Sequence, residues 1–262
     1  MFLSTFFLTA VLSAQSLDPP IVENDAVAVQ LTSRGTICSM LDKRNGRQLV
    51  AAETTAPLFR FTYSKGDDAV AATSCHAVQA EQIRVEPWSN GTSRGTRLTF
   101  SGFDKQPITI VCTVFVCGND PQVRFAWEAT LPPDVIIESV TYPIVEVGIS
   151  DDAIVVAGNT KGGILRPSSW KVGQSRRFDQ PGSLAAGFGC CYNEQGGFYT
   201  AAYDGKGYRK SLSLTKRTAH GLEWGWLQPC FEQNRFTLGN GEQYARFKHT
   251  HRTCRFLQCG HP

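Results

Sequence analysis

Few residues of this 262-residue chain are placed to do chemistry, and the aromatic ones lead. If Glu223-Trp224-Gly225-Trp226 is a strand, both indoles lie on one face, because strand side chains alternate with a period of two. Two such rings suit the C–H face of a sugar, but a core, or an interface with another domain, is the favoured reading. Trp170 stands in a Gly-, Pro-, Ser- and Arg-rich run from Lys161 to Pro181 that reads as an irregular loop, and long loops of this kind carry binding function. Asp204 and Lys210 border Asp204-Gly205-Lys206-Gly207 and can pair across a hairpin or face a neighbouring domain. Asp204 has a simpler role open to it, accepting backbone hydrogen bonds within the turn. These five residues are the candidate carbohydrate-binding set.

Catalytic constellations are harder to find. A sugar epimerase needs a His acid and a Glu base converging on the ring oxygen and anomeric hydroxyl. Outside the last 16 residues the only histidines are His76, in a probable strand, and His220, in a turn. Neither lies in a recognisable epimerase motif. The chain has no Gly-x-Ser-x-Gly elbow and no Gly-x-x-x-x-Gly-Lys-Ser/Thr loop. His249, His251, Cys254, Cys259 and His261 crowd the C-terminus, but their spacing fits no standard zinc finger. No catalytic residue, cofactor or metal is therefore assigned.

The elements that would position these residues are strands. Alternating runs are punctuated by turn residues every 8–12 residues or so, the signature of a β-sandwich. Ile21 to Leu31 reads as one strand. Thr36 to Leu41 pairs with Arg47 to Ala51 across Asn45-Gly46, and Cys75 to Glu86 turns to Thr96–Phe100 at Asn90-Gly91. Ile108 to Val116 pairs with Gln122 to Thr130, and Val135 to Val147 is long and β-branched. Phe198–Tyr203 and Tyr208–Leu214 read as a hairpin over Asp204-Gly205. Almost nothing has a helical period.

Composition sets limits. At 42% hydrophobic and 19% charged, with a net charge of +3, the chain is globular and has no basic stripe to attract nucleic acid. Residues 1–16 read as a signal peptide, with an apolar run from Phe2 to Leu12 and a small-x-small site at Ala14-Gln15-Ser16. This predicts a secreted or periplasmic protein with no membrane contact beyond that peptide. Nine cysteines leave at least one unpaired. Several sit in apolar runs and read as small buried hydrophobes, and export would permit one or two disulfides. Residues 21–246 form the predicted domain. Residues 247–262 have no strand period and read as an irregular, non-native tail.

Three stretches together resemble a known family. They are Ile21-Val22-Glu23-Asn24-Asp25 leading on to Leu41–Val50 and Pro57–Arg60, then Tyr142-Pro143, and then Gly196–Asp204 with Gly207 and Lys210. They resemble the galactose-mutarotase-like β-supersandwich domain at the front of bacterial glycoside hydrolases. In that family Tyr-Pro ends a strand, and a double glycine with an aromatic pair opens a hairpin. The resemblance implies an all-β, antiparallel β-supersandwich and a carbohydrate partner. It also implies a (β/α)8 barrel following this domain, since the barrel carries the family's two catalytic carboxylates. On that reading this chain is the non-catalytic N-terminal part of a glycoside-hydrolase-like protein, without the barrel domain and without hydrolase activity of its own. A free-standing carbohydrate-binding module is the alternative, and an aldose-epimerase-type enzyme the more distant one.

Overall fold

The structure, a computed structural model, describes residues 19–65, 72–159, 163–180, 182–202 and 209–229. The expected leader, the turn residue Asp204 and the C-terminal tail lie outside these residues. Within them the chain is all-β: eighteen strands and two short 3₁₀ turns, with every strand pairing antiparallel. No helix is long and apolar enough to cross a membrane.

Strands are numbered along the chain and form four sheets. The first holds β1 (Ile21–Glu23), β2 (Val27–Leu31), β3 (Ile37–Asp42) and β4 (Arg47–Gln48) in that order. A six-stranded sheet contains β5 (Arg60–Lys65), β6 (Thr73–His76), β11 (Val135–Gly148), β14 (Ser175–Gln180), β17 (Lys210–Lys216) and β18 (Gly221–Pro229). Its order is β14-β17-β18-β11-β5-β6. A third, β10-β9-β8-β7, is built from β7 (Gln82–Asn90), β8 (Ser93–Phe103), β9 (Gln106–Cys117) and β10 (Val123–Thr130). The fourth, β13-β12-β15-β16, is built from β12 (Ile154–Asn159), β13 (Ile164–Leu165), β15 (Leu184–Asn193) and β16 (Gly196–Ala201). One apolar core joins all four, from Val29 and Leu31 through Phe100, Ile110 and Trp127 to Val155, Phe198, Leu214 and Trp224.

Local chemistry accounts for the turns. Gly46 and Gly91 take φ of +71° and +61° at the two Asn-Gly turns, where an L side chain is disfavoured. Ile21 to Leu31 is two strands rather than one. The Asn24 side-chain oxygen accepts from the Ala26 and Val27 amides, an Asx turn that folds β2 back on β1. Likewise the run from Cys75 is broken by a 3₁₀ turn at Ala77–Gln79 before β7 begins.

Three further expectations are corrected. The segment read as an irregular loop contains β14, an edge strand pairing residue for residue with β17. Tyr142-Pro143 does not end a strand; it is a cis peptide within β11, where the pairing with β18 shifts register between Thr141 and Ile144. Proline is tolerated in this central strand because the bulge frees it from the ladder. Finally, Phe198–Tyr203 and Tyr208–Leu214 are not a hairpin: β16 pairs with β15, whereas β17 pairs with β14 and β18 in another sheet. The double glycine instead serves the β15–β16 turn. A Cβ on Gly197 would press on the Cys191 carbonyl and lie 2.5 Å from the Tyr192 Cβ.

Glycine at position 95 is required for packing. Its Cβ would overlap the Val114 carbonyl and sit 2.6 Å from the Phe115 Cα, and the Trp88 and Phe115 rings, centroids 5.0 Å apart, close over it. Gly95→Ala is expected to destabilise the fold by about 3 kcal/mol, the upper range for overpacking. A urea midpoint unchanged in Gly95→Ala would contradict this packing.

Candidate functional site

The alternation of β18 divides the site residues between two faces of one strand. Leu222, Trp224 and Trp226 point into the core; Glu223 and Gly225 belong to the other face. Both faces are covered, so the strand carries an unbroken buried run from Gly221 to Trp226.

The two tryptophans do share a face, as the sequence predicts, but that face is internal. Trp224 and Trp226 are 2% and 1% exposed. Trp224 packs edge-on against Phe198, ring centroids 5.6 Å apart. The Trp226 Nε1 donates to the Thr200 Oγ1 at 2.8 Å, tying the six-stranded sheet to β16. The pair thus takes the core alternative and is no open sugar platform. Trp170, at the end of the second 3₁₀ turn (Pro167–Ser169), is half-buried against the same core. Lys210 begins β17 and is buried rather than displayed at a turn. Asp204 lies outside the described residues. Of the four described candidates, Trp224 and Trp226 lie side by side on one strand face.

On the opposite face of β18 is a charged group that the sequence reading missed. Arg60 on β5 grips Glu223 with both guanidinium nitrogens, at 2.5 and 2.8 Å. Arg217 adds a third contact at 2.7 Å from its Nε. Glu146 lies directly across from Glu223 on β11, also buried, and accepts from the Thr54 hydroxyl at 2.9 Å. Burial pushes the Glu223 carboxyl up, but Arg60, and then Arg217, more than offset it and hold it below the usual carboxylate range. Glu146 was visible in the sequence as the one charge in the β-branched run Ile144–Ile149. Nothing local to Arg60 or Glu223 announces their union, since they are 163 residues apart.

Two buried carboxylates opposite one another raise the question of acid–base chemistry. Glycoside hydrolysis needs one carboxyl of raised pKa as proton donor. Glu223 is shifted the other way and is clamped by two cations, which favours its ionised form over a proton donor. His76 lies across from Arg60 in the β5–β6 pairing, and burial, then the Arg60 charge, lower its pKa, so it favours the neutral form. Among the described residues no cluster of three His, Cys, Asp or Glu side chains could hold a metal. Cys75, Cys112 and Cys191 are buried free thiols; for Cys112 and Cys191 this is in keeping with their apolar runs.

No protein-family model and no curated protein matches this sequence. Solved structures do match in shape. The α-N-acetylgalactosaminidase NagBb from Bifidobacterium bifidum, in complex with GalNAc, superposes with a TM-score of 0.63 at 12% identity. The match covers 80% of this chain and 33% of that one. A GH36 α-galactosidase, AgaB from Geobacillus stearothermophilus, gives 0.54 at 8% identity, covering 91% of this chain and 38% of that one. A TPR-domain-containing protein from Parabacteroides distasonis gives 0.56 at 11% identity, covering 81% and 43%. The likeness is one of fold. The chain spans about a third of the length of the N-acetylgalactosaminidase.

Among the described residues there is also an exposed aromatic surface. On the outer face of the fourth sheet, Ile164, Val156, Cys190 and Tyr199 form one cross-strand row. Tyr199 is 43% exposed and stacks on Phe188, ring centroids 6.0 Å apart and planes 23° from parallel. Tyr192, 41% exposed, and Ile164, 59% exposed, extend the patch. Tyr199 was legible in the Gly-Gly-Phe-Tyr run, but alternation alone could not say which of the two aromatics faces outward.

Proposed function

We propose that this chain is the galactose-mutarotase-like β-supersandwich domain of a glycoside-hydrolase-like protein, a non-catalytic module that associates with carbohydrate outside the cell. The observation that carries the reading is the match of most of this chain onto about a third of a solved N-acetylgalactosaminidase. A domain with this role buttresses a catalytic barrel and helps shape its cleft. The clamped Glu223 supports it, because that carboxylate is built to hold a sheet together rather than to exchange protons. Incubating the full chain with aryl α-galactosides and aryl N-acetyl-α-galactosaminides tests the non-catalytic part. No turnover is expected; turnover abolished by Glu223→Gln or His76→Ala would overturn it.

The alternative reading, a free-standing carbohydrate-binding module, is favoured by the exposed Tyr199–Phe188 stack with Tyr192 beside it. Flat exposed rings receive the C–H faces of sugars, which the internal indoles cannot do. Affinity electrophoresis against polysaccharides, with the protein free of any partner domain, tests it. Retention should fall about tenfold in Tyr199→Ala, as expected for a ring stack worth about 1–1.5 kcal/mol, while the melting temperature changes little. Retention unchanged in a Tyr192→Ala/Tyr199→Ala double variant would remove this surface as the sugar site.

A further inference from the structure

Beside Trp224 and Trp226 the structure holds a partly open cleft of about 270 Å³. Strands of all four sheets wall it: Val27 and Met40 from the first, Phe125 from the third, Val145 and the tryptophans from the six-stranded sheet, and Phe198 and Thr200 from the fourth. It is well beyond the ~150 Å³ of an engineered apolar cavity that takes up benzene.

Two polar atoms in this lining have no partner within the protein: the indole Nε1 of Trp224 and the side-chain oxygen of Gln122. The first is a donor on a side chain 2% exposed, the second an acceptor from which solvent is excluded. Native proteins seldom leave such groups unmet. The six-membered end of the Trp224 indole is packed near Gly189, where a Cβ would lie 2.8 Å from Cζ3, so the N–H belongs to the other end of the ring.

We infer that this cavity binds a small, uncharged aromatic molecule carrying one hydrogen-bond acceptor and one donor. The acceptor meets the Trp224 N–H and the donor meets the Gln122 oxygen. The ring packs among Trp226, Phe198 and Phe125. Charge is excluded because the only ionised side chains in the lining, Asp42 and Arg44, are paired with each other at 2.8 Å, with Arg44 62% exposed. The inference is independent of the domain reading above: it concerns the cleft beside Trp224 and Trp226, not a catalytic partner.

Benzamide, with a ring, a carbonyl acceptor and an N–H donor, is the probe. The full chain is titrated with it while the indole N–H resonances are followed in ¹H–¹⁵N spectra. The Trp224 resonance is assigned by its loss in Trp224→Phe, or by cross-relaxation to the Phe198 ring if that variant does not fold. This resonance should move saturably with benzamide. Gln122→Leu, at a half-buried position, should keep the fold and weaken binding up to about tenfold, the effect of one hydrogen bond. The inference is overturned if the Trp224 resonance does not respond, if toluene or Gln122→Leu binding matches that of benzamide with wild type, or if methyl galactoside moves the resonance and benzamide does not.

Discussion

Trp226→Ala should cost about 3–5 kcal/mol of folding stability, the range for removing a buried tryptophan. That is a large part of the 5–15 kcal/mol typical of a whole domain, so the unfolding midpoint of the variant should fall sharply. The side chain is 1% exposed, and its Nε1 donates to Thr200 across two sheets. Alanine therefore removes the ring from the hub of the core and leaves the Thr200 hydroxyl without that donor. Trp226→Phe separates the two effects. It keeps an aromatic ring, loses the N–H, and should cost about 1–2 kcal/mol beyond the small change in volume. Urea unfolding followed by far-ultraviolet circular dichroism measures both. Carbohydrate retention by folded Trp226→Phe should equal that of wild type, because the ring never meets solvent. A Trp226→Ala protein as stable as wild type, with weakened sugar binding, would return this residue to the sugar-platform alternative that its spacing leaves open.

That contrast marks how far the sequence could be read. Strand content and the Asn-Gly turns follow from local chemistry: positive φ at Gly46 and Gly91 and alternation along the runs between. That Trp224 and Trp226 share a face follows from the period of a strand. Which face is inside does not, because β18 is buried on both sides and one of its two neighbours, β11, comes from a distant part of the chain. The same limit hid the separation of β16 from β17. Each run alternates well enough for a hairpin, but alternation fixes no partner, and the choice of sheet rests on long-range packing. β14 was hidden by its composition. An edge strand needs only one partner and tolerates the charged run Ser175-Arg176-Arg177, which resembles a loop when read alone. The Arg60–Glu223–Arg217 group was illegible for a related reason: its members come from three strands or their ends, and only folding brings them into contact.

Glu223→Gln should remove about 3 kcal/mol of stability at pH 7, the low end for breaking a buried ion pair. The low end applies because Arg60 and Arg217 are both partly exposed and can turn toward water once the carboxylate is gone. The pH dependence distinguishes this from simple loss of packing. Burial raises the folded Glu223 pKa, but Arg60 and then Arg217 lower it by more, so the net value lies below the unfolded value of 4.5. A depressed folded pKa means that the stabilising contribution is fully present above the unfolded value. It fades as pH falls through the lower, folded value, because protonation then costs the native state its clamp. The wild-type protein should therefore hold its advantage over Glu223→Gln from neutral pH down to about 4.5 and lose it progressively below. Asp42 and Asp179, whose own partners also lower their pKa values, contribute to the acid limb of both proteins and cancel in the difference. Salt gives a second test. Surface pairs are screened within a Debye length of about 3 Å at 1 M, but a carboxylate only 8% exposed is shielded from that screening, so the difference should survive 1 M sodium chloride. A Glu223→Gln protein with the wild-type acid limb would place the acid sensitivity elsewhere. If the difference behaves as argued, sugar retention on the Tyr199 surface should be the same in both proteins at pH 7, since a carboxylate spent on two guanidinium groups has no proton to lend to a bound glycan.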